Sequence, residues 1–133
     1  LLKTHGIKSY VDVFDPTLNS TTDITATLMQ RVRQCSHIMA VVSDYTTQSW
    51  WVPFEVGVAS ELDRRITSYR LSSVSLPDFL NKWPILYTFS HLDIFARYYK
   101  NDISISLEDG RKFNANINSG DIFHATLKQE LGQ

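Results

Sequence analysis

The feature that most restricts the fold of this chain is a continuous apolar run, "HIMAVVS" at residues 37–43, entered from a helix-like segment and left through a polar loop. A strand exposed on one face alternates apolar and polar residues. A run without alternation reads instead as a strand covered on both faces, as in the centre of a parallel sheet. The segment before it, "ITATLMQRVRQC", sets Ile24, Leu28, Val32 and Cys35 on one helical stripe with Arg31 and Arg33 off it, and Asp23 stands where an N-cap belongs. Further upstream, "IKSYVDVFD" alternates Ile7, Ser9, Val11 and Val13 against Lys8, Tyr10 and Asp12, a strand of mixed burial broken by "DPTLNSTT". Strand, helix, strand makes a crossover unit, and such units are right-handed.

The remaining segments continue the alternation. "LLKTHG" reads as the last turn of a helix closed by Gly6, which suggests that a further segment precedes it. A helix is expected from about Trp51 to Asp63, with Pro53 tolerable only in its first turn. "RITSYRL" is a short strand, "SLPDFLNKWP" a proline-bounded short helix or turn, "ILYTF" a last strand and "HLDIFARYYK" a helix. Residues 103–117 are expected to form a hairpin around the Asp109-Gly110 turn signal, with 101–118 as a hairpin or insertion, before "GDIFHATLKQEL" closes the chain as a helix. The expectation is one α/β domain over residues 1–133, a mostly parallel sheet with helices on both faces. Ligands of such folds bind outside the carboxyl ends of the strands, here the loops after Val13 and Ser43.

Bulk properties exclude several functions. A formal net charge of -1 over 133 residues gives no field to recruit nucleic acid or an anionic membrane. No apolar run approaches the roughly 18 residues of a membrane helix, the start is not a signal peptide, and Cys35 is the only cysteine, so a reducing cytoplasm is the expected compartment. His5, His37, His91 and His124 are scattered without the spacing of a metal site or a triad, and a cap, a strand start and two helix positions account for them. Cys35 reads as a small buried hydrophobe and the cluster Phe95, Tyr98, Tyr99 as core. With one glycine in "EVGVAS", neither a Rossmann turn nor a P-loop is supported, so no nucleotide is expected as a redox cofactor.

The chemistry centres on "SDYTTQSWWVPFEVGVASE", residues 43–61. Trp51 and Glu55 lie four residues apart, so in a helix they share a face near the loop that follows the apolar strand. Burial against an indole raises a carboxyl pKa, whereas the amino end of a helix favours the ionised form. The plain alternative is an acid that complements the helix dipole beside tryptophans that pack. Asp12 and Asp44, also near strand ends, read as solvated or turn residues.

The pieces "GIKSYVDVFDP", "LMQRVRQCSHIMAVVSDYTTQSWWVPFEVGVASE" and, less specifically, "LPDFLNKWPIL" resemble the Toll/interleukin receptor (TIR) domains, and more closely the bacterial TIR-like proteins of antiphage defence of the Thoeris type. The resemblance spans residues 6 to 86. It implies a flavodoxin-like fold whose first strand is missing here, leaving the domain incomplete at its amino end. In enzymatic members the Glu of a Trp-x-x-x-Glu pattern acts on the ribose that carries nicotinamide in NAD⁺; that Glu falls on Glu55 and the indole on Trp51. Asp15 and Pro16 match the family's BB loop, here Asp15 to Thr22, and Tyr45 and Ser49 would flank the pocket. The implied protein is a cytoplasmic NAD⁺-consuming enzyme, with NAD⁺ as substrate and no cofactor or metal. It would release nicotinamide, make a cyclic or modified ADP-ribose signal for a downstream effector, and assemble as a homo-oligomer through TIR-TIR contacts, touching neither nucleic acid nor membrane. The rivals are a non-catalytic TIR adaptor and a receiver-like module without chemistry of its own; the clustered acids of receivers stand at the end of a first strand that is missing here, so the sequence leaves that reading open, although the tryptophan-rich helix start fits it poorly.

Overall fold

The computed structural model describes residues 1–10, 21–46, 51–108 and 119–133; Asp12, Asp15, Pro16, Ser49, Trp50 and the Asp109-Gly110 turn signal lie outside them. A short 3-10 helix, Leu2–His5, ends at Gly6 in the left-handed region (φ 72°), where glycine avoids the Cβ clash, as the opening "LLKTHG" requires. Then come α1 (Thr21–Gln34), β1 (His37–Val42), α2 (Trp51–Glu61), β2 (Arg65–Arg70), a 3-10 turn (Asp78–Lys82), β3 (Ile85–Leu86), α3 (Phe89–Glu108) and α4 (Ser119–Leu131).

The three strands form one parallel sheet in the order β1-β2-β3. β1 and β2 pair from His37 opposite Arg65 to Val42 opposite Arg70. β2 is the strand covered on both sides, buried from Arg65 to Ser68. β1, expected in the centre, is an edge strand among the described residues, and its Val41 is exposed. The open edge of β3 is closed by a side chain: Gln133 Oε1 accepts the Ile85 N–H at 3.0 Å and Gln133 Nε2 donates to the Ile85 carbonyl at 2.5 Å, so an amide stands in for a further strand.

Side chains of a strand alternate between faces, and two cores result. On one face Ala40, Val42 and Ile66 pack with Leu28 and Val32 of α1 and with Val56 and Ala59 of α2. On the other, Leu86, Met39 and Tyr69 pack with Leu92 and Phe95 of α3 and with Phe123 and Leu127 of α4. Helices therefore cover both faces of a parallel sheet, an α/β architecture. Phe95 is core and Tyr98 and Tyr99 pack against it, as their spacing on the helix predicts.

Three further expectations need correction. Residues 103–108 are not hairpin: α3 runs on to Glu108, because the stripe Leu92, Phe95, Tyr99 continues at helical spacing to Asp102, whose carboxylate meets Arg65. Ile7 to Tyr10 do not enter a strand; Ile7 is buried, while Lys8, Ser9 and Tyr10 are exposed in succession, without the alternation a half-buried strand needs. Asp23 is not the N-cap, since α1 already begins at Thr21 and takes Asp23 into its first turn.

Candidate functional site

β1 leads into a tight turn. Thr46 Oγ1 accepts the Ser43 N–H at 2.6 Å, and both the Thr46 hydroxyl and its backbone N–H donate to the Ser43 carbonyl. This turn presents Asp44 and Tyr45 to solvent, and Tyr45 is 93% exposed. Trp51 is the first residue of α2 and Pro53 the third, where a missing N–H has no intrahelical partner to lose.

Glu55 is half-buried, one turn beyond Trp51. It lies between two stripes of α2: Val56 and Ala59 enter the core, whereas Phe54, Gly57, Val58 and Glu61 line an apolar groove shared with Met29 and Arg33 of α1, with a volume of about 420 Å³. Glu55 is not part of that groove's lining. Of the residues the sequence singles out, Glu55 and the backbone of Trp51 thus sit on the helix that follows β1 and Tyr45 in the turn before it; Asp15 and Ser49 lie outside the described residues.

A second polar centre, at the amino ends of β1 and β2, joins residues that the sequence leaves apart. His37 Nδ1 lies 2.8 Å from Ser36 Oγ, and its Nε2 lies 3.2 Å from Asp102 Oδ2. Arg65, buried, donates from Nε to Asp102 Oδ2 at 2.9 Å and from Nη2 to Oδ1 at 3.4 Å. His37 meets the rings of Tyr99, Phe123 and Phe95 edge-on, at centroid separations of 4.6, 5.0 and 6.3 Å. Burial pushes the His37 pKa below its ordinary value, against the pull of Asp102, so the imidazole is neutral near pH 7. For Asp102 burial pushes upward, but His37 and the Arg65 guanidinium outweigh it and hold the carboxyl below its usual value. His124 Nε2 accepts the Ile66 N–H at 2.8 Å, and burial takes its pKa down to about 4.

The order Ser36, His37, Asp102 has the composition of a triad, yet the His37 side chain is only 6% exposed and is ringed by aromatics. No face of the imidazole is open to a substrate, and the centre acts as a buried clamp between the sheet and α3. The signal that could have found it is Asp102 on the buried stripe of α3, visible once the helix is extended past Lys100. His5 pairs with Asp93 on the surface at 2.8 Å, and His91 sits in the first turn of α3. Cys35 follows the last residue of α1 and is half-buried, less enclosed than expected.

Among the described residues no three His, Cys, Asp or Glu side chains gather as a metal site. No helix among them is long and apolar enough to cross a membrane. No family model, curated protein or solved structure matches the chain.

Proposed function

We propose that this chain is a TIR-type enzyme of flavodoxin-like fold that cleaves the bond between nicotinamide and ribose in NAD⁺, with Glu55 as the catalytic carboxylate. The observation that carries the reading is the station of Glu55: a half-buried acid in the opening turns of α2, the helix that follows the turn at the carboxyl end of β1. Ligands of parallel α/β sheets bind at those ends, and the spacing from Trp51 is that of the TIR pattern.

The chemistry asks little of the protein. As the C1′–N1 bond breaks, its electron pair leaves with nicotinamide, which departs neutral and needs no general acid. Positive charge then develops on the ribose, and a carboxylate facing the sugar stabilises that oxocarbenium-like state. Water captures it to give ADP-ribose, or a nucleophile at the adenosine end of the same molecule captures it to give a cyclic product. Tyr45, Trp51, Asp15 and Ser49 are assigned to the nucleotide pocket, and the product would act as a signal in antiphage defence. The test is chromatography of nicotinamide and ADP-ribose products after NAD⁺ is incubated with the protein and with its Glu55→Gln variant at high protein concentration. Release by the wild type, reduced about a hundredfold or more in the variant, is expected; equal turnover by both would remove Glu55 from the mechanism.

One observation favours the adaptor reading, in which TIR-TIR assembly is the whole function. The apolar groove between α1 and α2 leaves Phe54 partly exposed next to Glu55. Concentration-dependent assembly abolished by Phe54→Asp, with no nicotinamide released by the assembled wild type, would establish it.

A further inference from the structure

β2 ends at Arg70, in register with Val42 at the end of β1. Ile66 of β2 packs in the core of α1 and α2, and Tyr69 in that of α3 and α4. By strand alternation, Arg70 belongs to the Ile66 face, the one that α2 covers. It thus emerges at the carboxyl end of the sheet, on the face covered by the helix that carries Glu55.

The guanidinium has two partners within the fold. Arg70 Nε donates to the Ser72 carbonyl at 2.7 Å, and its carbon lies 5.6 Å from the centroid of the Tyr87 ring, a ring 45% exposed. Tyr87 in turn meets the His91 ring at 6.2 Å and 73°, and the Tyr87 N–H donates to His91 Nδ1 at 3.2 Å. An Nδ1 that accepts leaves the proton on Nε2, a directed donor. The Thr88 hydroxyl accepts the His91 N–H and anchors it in the first turn of α3.

None of the ion pairs among the described residues uses Arg70, whose polar contact is a neutral carbonyl. A planar fork held by one edge and one face, with its terminal nitrogens uncommitted to a carboxylate, suits a bidentate anion better than a flexible lysine would. The half-exposed Tyr87 and the neighbouring Phe89, 70% exposed, add aromatic surface of the kind that bases stack on.

We propose that Arg70, with Tyr87 and His91, is the subsite for the diphosphate of a dinucleotide, laid across the carboxyl ends of β1 and β2. The assignment to a dinucleotide rests on the NAD⁺ reading. Calorimetric titration with ADP, which carries the diphosphate but no nicotinamide bond to break, and with adenosine, which lacks the diphosphate, tests it. The wild type is expected to bind ADP at least about tenfold more tightly than adenosine. Arg70→Ala removes that preference and leaves adenosine binding unchanged. Arg70→Gln, whose amide can still donate to the Ser72 carbonyl, loses it too, which separates lost charge from lost structure. Undiminished ADP affinity in either variant overturns the proposal, as does a wild type that prefers neither ligand. Should the chain bind ADP through Arg70 yet release no nicotinamide from NAD⁺, the subsite stands and the cleavage reading falls. Nicotinamide release with an unchanged KM in Arg70→Ala has the opposite meaning: cleavage stands and the subsite falls.

Discussion

The imidazole of His124, on α4, accepts the backbone N–H of Ile66 in β2, the strand covered on both faces of the sheet. A protonated imidazole cannot accept, so the bond exists only while His124 is neutral. Asp121, Arg65, His37 and Lys82 set the local field, with Asp121 alone favouring the charged form. The folded pKa is about 4 against 6.5 for an ordinary histidine, so between those values the unfolded chain binds the proton more readily. The His124 contribution is therefore complete above about pH 6.5 and is lost as pH falls towards 4; a shift of this size amounts to about 3 kcal/mol at most. Urea unfolding at intervals from pH 7.5 to 4.5 should show a steeper fall for the wild type than for His124→Gln, whose amide oxygen accepts the same N–H without titrating. Equal slopes would show that the drop comes from elsewhere.

Two ion pairs of α3 give contrasting expectations. Asp102 meets the Arg65 guanidinium with both carboxylate oxygens, and the two side chains are 16% and 3% exposed. Arg97 meets Glu130 of α4 at 3.2 Å, with exposures of 65% and 45%. Removing one member of a buried pair leaves the other charge desolvated without its counter-ion, at about 3 kcal/mol or more, whereas an exposed pair is screened by water and contributes below about 1 kcal/mol. Asp102→Asn should lower the denaturation midpoint strongly and Glu130→Gln barely. Similar small losses for both would mean that Asp102 is not needed to hold α3 on the sheet.

Local pattern made the secondary structure legible where one physical rule acted alone. The stripe Leu28, Val32 marked α1, the Ile66, Thr67 and Tyr69 of "RITSYRL" marked β2, and Pro53 and Gly6 marked a helix start and a helix end. It failed where distant residues decide. The carboxyl half of α3 carries Asp102 and Ser104, which weaken a helix signal, and its burial depends on Arg65 from another element. The edge position of β1 among the described residues depends on pairing, to which apolar composition is blind. The same division holds for the site. Glu55 and Trp51 stood out because four residues make one helical turn, whereas Arg70, Tyr87 and His91 meet only because β2 and β3 run parallel and end side by side.

Tyr45 separates a pocket residue from a packing residue more sharply than any buried side chain can. At 93% exposed, its ring contributes almost nothing to the folded state, so Tyr45→Ala should leave the unfolding midpoint within about 0.5 kcal/mol of the wild type. If the turn after β1 borders the nucleotide, the ring becomes covered only when ligand is bound, and stacking of this kind contributes about 1 to 3 kcal/mol per base. Tyr45→Ala is then expected to raise the KM for NAD⁺ about tenfold or more, whereas Glu55→Gln lowers kcat, because the ring acts on binding and the carboxylate on the charge that develops at the ribose. Parallel measurements of KM, kcat and urea midpoint on the two variants check the division. An unchanged KM for Tyr45→Ala would place the nucleotide away from this turn, and a lowered midpoint would assign the ring to the fold instead.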